Sequence, residues 1–334
     1  MTKDEGTPNV QMRKDRSDFV IGNSSFVILS RCLHVRLTEI PAPEFDLEMT
    51  LNSGQVFHWD KAGAGFIGAI GHLPVYVEQS ERILKVRDGG ARSLSRIIAD
   101  YFALDHPLSE ICASFPSDPV MNAAKEFCRG LRIIRQSKWE CLATFICSSM
   151  KQVAHVRQIS GRLRERFGEA REIARHIIYA FPSARRIAAS SEKELRACAL
   201  GYRAKNLLGT ARAVASGEAD LESWSGLTDA DLRARLCELP GVGAKVANCV
   251  MLFAYERLRA FPIDVWIERV LREKYFPRAR RLNAARLRAF TEGYFGNHGG
   301  YAQQYLFHHA RTSKIKTKSK RKNAKRDNVL VLNP

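Results

Sequence analysis

Lys245 and Asp264 are the two residues whose types and spacing best suit covalent chemistry in this sequence. A lysine amine attacks electrophilic carbon only when uncharged, and a nearby carboxylate can take its proton or stabilise positive charge that develops on a substrate. Lys245 lies in LPGVGAKVANC, in what reads as the first turn of a helix. The positive end of that helix's dipole, with partial burial, disfavours an ammonium there. Asp264 follows 19 positions later in FPIDVW, where Pro262 fixes an extended approach and the aspartate can cap the helix VWIERVLREKYF. Cap and reactive carboxylate can be one group. From these residues alone, a surface lysine that pairs with phosphate and a plain helix cap stay open as readings.

The elements that must position the pair are legible around it. A helix starting at Asp229 or Asp231 ends at Leu239, Pro240-Gly241-Val242-Gly243 turns the chain, and a second helix begins near Ala244. Glycines at 241 and 243 permit positive φ and leave amide hydrogens open to a phosphate oxygen, backed by the free N-terminal amides of the second helix. This pattern predicts a helix-hairpin-helix at about 232–255, a grip on DNA backbone that reads no sequence. Many tight turns between helices hold two glycines, so the motif alone does not settle the matter.

From Ser93 onward apolar residues recur at three- and four-residue intervals, which predicts a helical array; the run from Trp139 to Phe167 is expected to break near Ser148–Gln152. Before it, VFHWD, GFIGAIG, PVYVEQ and RILKVR are short β-prone runs between Gly, Pro and charged turns. They predict a small antiparallel sheet between about 30 and 95. The expected fold class is α+β, with a leader at 1–29, a sheet domain with helices at 30–120, a helical domain at 121–311 and a basic tail at 312–334.

Lys and Arg number 53 against 35 Asp and Glu, a net +18 that favours a polyanionic partner. Nine of those cations fall between Arg311 and Arg326 with no acid among them, so the tail is expected to be a weak, nonspecific electrostatic aid. The eight cysteines form no CxxC pair, which predicts reduced, mostly buried thiols and no metal site. No apolar run approaches the roughly 20 residues that span a bilayer. An intracellular protein is expected, in the cytoplasm or nucleoid of a bacterium or the nucleus of a eukaryote.

The sequence resembles the helix-hairpin-helix DNA glycosylases, and within them the 8-oxoguanine DNA glycosylase branch. The likeness runs from about Glu39 to Ala310 and rests on SGQVFHW, YFALD, ECLATFICSS, LGYRAK, LPGVGAKVANC, PIDVW and GYAQQYLF in the family's order. It implies a bifunctional base-excision enzyme that needs no cofactor, works as a monomer and acts on double-stranded DNA containing oxidised guanine. Lys245 would attack the sugar carbon, expel the flipped base and form a Schiff base that allows β-elimination, with Asp264 stabilising the transition state. The Gly54 carbonyl would accept the ring N–H that oxidised guanine carries and guanine lacks. Cys249 and Phe307 would sandwich the purine, Gln303 would read its Watson–Crick edge, and Trp266 would stand at the pocket in place of the histidine of animal and fungal enzymes.

Pro240, Gly241, Val242 and Gly243 would hold phosphate, while Tyr202 and Arg203 match the family's wedge and one of its contacts to the unpaired cytosine. Met150 and His155 replace an asparagine and an arginine that make the other contacts, so strict preference for cytosine opposite the lesion is not implied. Trp266 and Ala310 replace a histidine–aspartate pair together. The alternatives are a related glycosylase for alkylated bases, which uses the aspartate and water without a lysine, and a noncatalytic DNA-binding protein. An endonuclease III type needs four cysteines after the aspartate, and no cysteine follows Cys249. Adjacent His308 and His309 point apart on a helix, poor spacing for a zinc hydrolase.

Overall fold

The computed structural model describes residues 37–88, 93–279 and 281–313. The leader at 1–29 and nearly all of the basic tail lie outside them.

Five strands come first: β1 (Thr38–Pro41), β2 (Asp60–Ala62), β3 (Gly65–Ile70), β4 (Leu73–Ser80) and β5 (Ile83–Asp88). They form one antiparallel sheet in the order β1-β5-β4-β3-β2. Period-2 alternation buries Val75 and Val77 of β4 with Leu84 and Val86 of β5 on one face, against Trp59 and the helix Leu94–Tyr101. β3 is buried along almost its whole length because its other face is covered too. That cover is a hairpin absent from the sequence reading, β6 (Ala170–Ile173) and β7 (His176–Tyr179), whose Ile173 and Ile178 pack on Ile67 and Ala69.

The remainder is helical around a second, larger core. Leu108, Ile111 and Phe115, in the segment expected to close the first domain, bury their side chains in this helical core. The expected break is present: one helix spans Lys138–Ser148 and the next Val153–Phe167. Within the helical pattern expected from Ser93 onward, the stretch LRACALGYRAK is interrupted by a π-turn at Arg196–Leu200 in which Ala199 has φ +64°. The helix Arg203–Ser216 starts only after it. Thr228 caps the first hairpin helix, Asp229–Glu238, through the Asp231 amide, and Ala244–Ala254 is the second. A final helix runs over 299–313. Of the seven described cysteines, all free thiols, five are buried, Cys112 is half-buried and Cys237 is exposed.

An ion cluster ties the end of the second hairpin helix to the sheet side of the molecule. Arg135 makes a two-pronged contact with Asp105 at 2.6 and 2.9 Å and donates to Glu256 at 2.7 Å, and His106 meets Glu256 at 2.6 Å. Hydrogen bonds from Arg135 and from His106 hold the carboxyls of Asp105 and Glu256, respectively, down to about 2. A depressed carboxyl stabilises the fold above its unfolded value, about 4, and loses that contribution as pH falls toward 2. Arg135→Met should therefore lower the melting temperature at pH 7, and the gap from the parent should narrow as pH falls from 4 to 2. Melting curves across that range check it.

Candidate active site

Two helices that are apolar around their circumference run side by side through the core, Lys138–Ser148 and Ala244–Ala254. They are antiparallel: at one end the Gln136 amide donates to the Phe253 carbonyl at 2.8 Å, and at the other Lys245 Nζ donates to Ser148 Oγ at 3.1 Å. Ser148 gives its own proton to the Phe145 carbonyl, so it faces the lysine as an acceptor. The half-buried amine also lies 5.0 Å from the Phe145 ring centre. The C-terminal end of the Lys138–Ser148 helix brings partial negative charge to the amine, countering the positive end of the lysine's own helix. Only the second of these is legible in the sequence.

Asp264 is the cap it was expected to be. Its Oδ1 accepts from the amides of Trp266 at 3.0 Å and Ile267 at 2.9 Å, starting the helix Val265–Val270. Burial raises its carboxyl above the ordinary value, against the pull of those amides and of Lys245. Both Lys245 and Asp264 act on the Cys249 thiol, which burial pushes up to about 11. The thiol is thus neutral near pH 7, and Lys245, Cys249 and Asp264 are near neighbours.

Gly54 sits in the turn after the helix Leu47–Asn52 with φ +91°. The left-handed backbone favours glycine, and a Cβ there would lie tight against Phe307 Cε1 at 3.1 Å and Val153 Cγ2 at 3.3 Å. The carbonyls on either side are tied down. Gln304 Nε2 donates to Ser53 O at 3.1 Å, and Gln136 Nε2 donates to Gln55 O at 2.8 Å. The Gln55 side chain accepts from the Ile134 amide and donates to the Arg132 carbonyl, at 2.7 and 2.8 Å. Gln303 lies one helical turn before Phe307, is buried, and its Oε1 has no hydrogen-bond partner among the described residues. An unpaired buried amide oxygen costs about 1–3 kcal/mol, a cost a pocket recovers when a ligand donates to it. Trp266 is half-buried, with the Arg269 guanidinium 5.6 Å from its ring centre.

Elsewhere the structure places the expected DNA-facing residues as follows. Gly241 has φ +80° and packs against Asn206, while Gly243 is extended rather than left-handed, because it is the N-cap of the lysine's helix. Val242 is buried, and Thr210 holds the Pro240 carbonyl at 2.9 Å. Met150 is 88% exposed on a left-handed backbone between two helices, and His155 is exposed in the first turn of the second. Tyr202 is exposed with the Arg203 guanidinium 4.4 Å from its ring centre. Arg203 itself is buried, donating to the carbonyls of Ser149 at 2.7 Å and Leu200 at 3.1 Å. In the free protein it therefore secures the loop that carries Met150.

Gly241→Ala is expected to weaken duplex binding and to destabilise by about 1–2 kcal/mol, the cost of an L-residue in left-handed backbone. The new Cβ would also meet Asn206 Cβ at 2.7 Å. Denaturant unfolding and a binding titration on undamaged duplex check both parts.

Comparison with known proteins decides the family. Residues 38–142 match the model for the 8-oxoguanine DNA glycosylase N-terminal domain, and 143–292 match that for the HhH-GPD superfamily of base excision DNA repair proteins. A probable N-glycosylase/DNA lyase of Methanothermobacter thermautotrophicus is 30% identical over 304 residues, covering 82% of this chain and 96% of that one. The chain belongs to the helix-hairpin-helix 8-oxoguanine DNA glycosylase family. Another family relative, the N-glycosylase/DNA lyase OGG1 of Arabidopsis thaliana, is 30% identical over 79% of this chain and 77% of its own. Among solved structures of the family, the 8-oxoguanine glycosylase/lyase of Clostridium acetobutylicum in its apo form superposes with a TM-score of 0.74 at 30% identity, covering 79% of this chain and 92% of that one. The same enzyme bound to double-stranded DNA with cytosine opposite 8-oxoguanine gives 0.77 at 28%, covering 84% and 98%.

Several residues around the candidate site were not singled out from sequence. Ser148 lay inside the quoted ECLATFICSS without a role, and Gln304 sits beside Gln303. Gln55 and Gln136 are not legible as a pair of fasteners, because the partners that tie them across the fold lie 77 to 81 positions away.

Proposed function

We propose that this chain excises 8-oxoguanine from duplex DNA through a lysine Schiff base and then cleaves the strand by β-elimination. The observation that carries the reading is the closeness of Lys245 and Asp264, with Cys249 next to both, in a chain of this family. Asp264, its carboxyl raised by burial, accepts the proton from Lys245. The free amine bonds to the sugar carbon as the N-glycosidic bond breaks, and the base leaves with the electron pair. The sugar ring then opens: the carbon–ring-oxygen bond breaks with its electron pair going to the oxygen, which takes up a proton, and the nitrogen's lone pair forms the iminium. The iminium acidifies the neighbouring carbon, whose deprotonation expels the 3′ phosphate.

The base is read by the Gly54 carbonyl and Gln303, held between Cys249 and Phe307, with Trp266 at the margin. A polar site left unpaired by the wrong base discriminates strongly. Pro240 to Gly243 hold phosphate, Tyr202 enters the duplex, and Met150, His155 and Arg203 face the opposite strand. Residues 121–311 are the catalytic domain in this reading, 30–120 complete the base pocket, and the tail at 312–334 adds nonspecific attraction to DNA. Acting on chromosomal DNA, the enzyme works in the nucleoid or nucleus of its source.

The test is borohydride trapping on duplexes that differ only in one base. A covalent adduct and a cleaved strand are expected with 8-oxoguanine and neither with guanine. Release of an alkylated base without any adduct would favour the related alkylation-repair glycosylases, and binding without reaction on any lesion would leave a DNA-binding protein.

A further inference from the structure

Two guanidinium groups outside the reacting pair converge on the stretch of chain that leads into the Gly54 turn. Arg157, on the helix Val153–Phe167, donates through Nη2 to Asn52 Oδ1 at 3.0 Å and to the Leu51 carbonyl at 3.4 Å. Arg311, on the helix 299–313, donates through Nη2 to the Asn52 carbonyl at 2.6 Å and stands 3.2 Å from His308 Nδ1. Asn52 is the last residue of its helix, and Ser53-Gly54 follow at once. The Arg311 guanidinium also lies 5.5 Å from the Phe307 ring centre, and Phe307 is the side chain that closes on Gly54.

This arrangement is costly. The Nε of Arg311 is buried with no hydrogen-bond partner among the described residues. Burial and the charge of Arg157 both push the Arg311 guanidinium below its ordinary value, with Asp264 opposing them. Like charges brought together and partly dehydrated are weak sources of stability, and apolar side chains of equal volume commonly serve better. Their cost is understandable if they fix geometry, since a planar fork with several donors holds backbone carbonyls more rigidly than a point charge.

We propose that Arg311, assisted by Arg157, is a positioning residue for base recognition: by clamping Asn52 while backing Phe307, it sets the spacing between the Gly54 carbonyl and the ring on which the base stacks. The inference rests on the base-pocket reading above. It places neither arginine on the reacting sugar. The clamp therefore matters while a base is bound and is idle when the site holds an abasic sugar.

That difference gives the experiment. Single-turnover excision from an 8-oxoguanine duplex is compared with Schiff-base trapping on a preformed abasic duplex, for wild type, Arg311→Met, Arg311→Lys and Arg157→Met. Misplacing a recognition group by about 1 Å costs on the order of 10²-fold. Arg311→Met should lose excision on that scale while trapping at the abasic site stays within about twofold of wild type. Arg311→Lys, which keeps one donor for the Asn52 carbonyl, should fall between, and Arg157→Met should shift the same ratio by less. Equal losses on both substrates in the folded Arg311→Lys protein would overturn the clamp, as would unchanged excision in Arg311→Met. If wild type excised a different lesion, the function reading would fail instead, and the same ratio measured on that lesion would still judge the clamp.

Discussion

Lys245→Gln is expected to abolish both the borohydride adduct and strand cleavage on an 8-oxoguanine duplex, with excision falling at least about 10⁴-fold, the scale of losing a nucleophile from a concerted catalytic group. The reason is chemical, since glutamine keeps length and polarity but offers no lone pair able to form an imine. Duplex affinity should change little, because the proposed phosphate grip uses the backbone of Pro240 to Gly243. Folding should also hold, since the half-buried amine's contacts, a hydrogen bond to Ser148, the face of Phe145 and the Cys249 thiol, are few, and polar glutamine of similar length can replace part of them. Trapping gels, cleavage assays and a melting curve on the same preparation separate these statements. An adduct that survived in Lys245→Gln would move the nucleophile to another amine.

Asp264→Asn should separate activity from stability in opposite directions. Asparagine caps a helix about as well as aspartate, so the bonds to the amides of Trp266 and Ile267 are kept. Excision should fall about 10²- to 10³-fold, the range for losing one preorganised electrostatic group. Stability should rise at pH 7. The folded carboxyl is raised above its unfolded value, chiefly by burial. Its contribution is therefore fully present below the unfolded value and is lost as pH rises through the folded one. At neutral pH the ionised side chain is a burden on folding that asparagine removes. The acid limb of the excision rate should lie above the ordinary aspartate range and flatten in the variant. A variant less stable than the parent at pH 7 would contradict this account of the carboxyl.

Local chemistry made much of this legible in the sequence. The cap at Asp264 follows from an acidic residue placed before an amphipathic helix, and the glycine turn from two glycines between apolar runs. The break after Ser148 was signalled by the run of small and polar residues there. What was not legible depends on chain segments far apart in sequence. The strands Ala170–Ile173 and His176–Tyr179 are four residues each, and their turn uses Ala174 and Arg175 at positive φ instead of glycine. No turn signal marked them, and the sheet face they cover made their apolar residues necessary. In the same way, the negative end of the Lys138–Ser148 helix beside Lys245 exists only once two helices lie antiparallel. Arg203 was read as a contact for DNA, and its two carbonyl partners appear only when Ser149 and Leu200 come together.

The helix Arg203–Ser216 carries Tyr202 at its start, while Asn206, Gly209 and Thr210 along its length bear the turn Pro240-Gly241. A helix rises about 1.5 Å per residue, so roughly 10 Å of stiff rod separates the two. On the proposed reading, with phosphate held at one mark and the Tyr202 ring entering the duplex at the other, that rod would act as a ruler, setting one constant offset between the strand it grips and the step it opens.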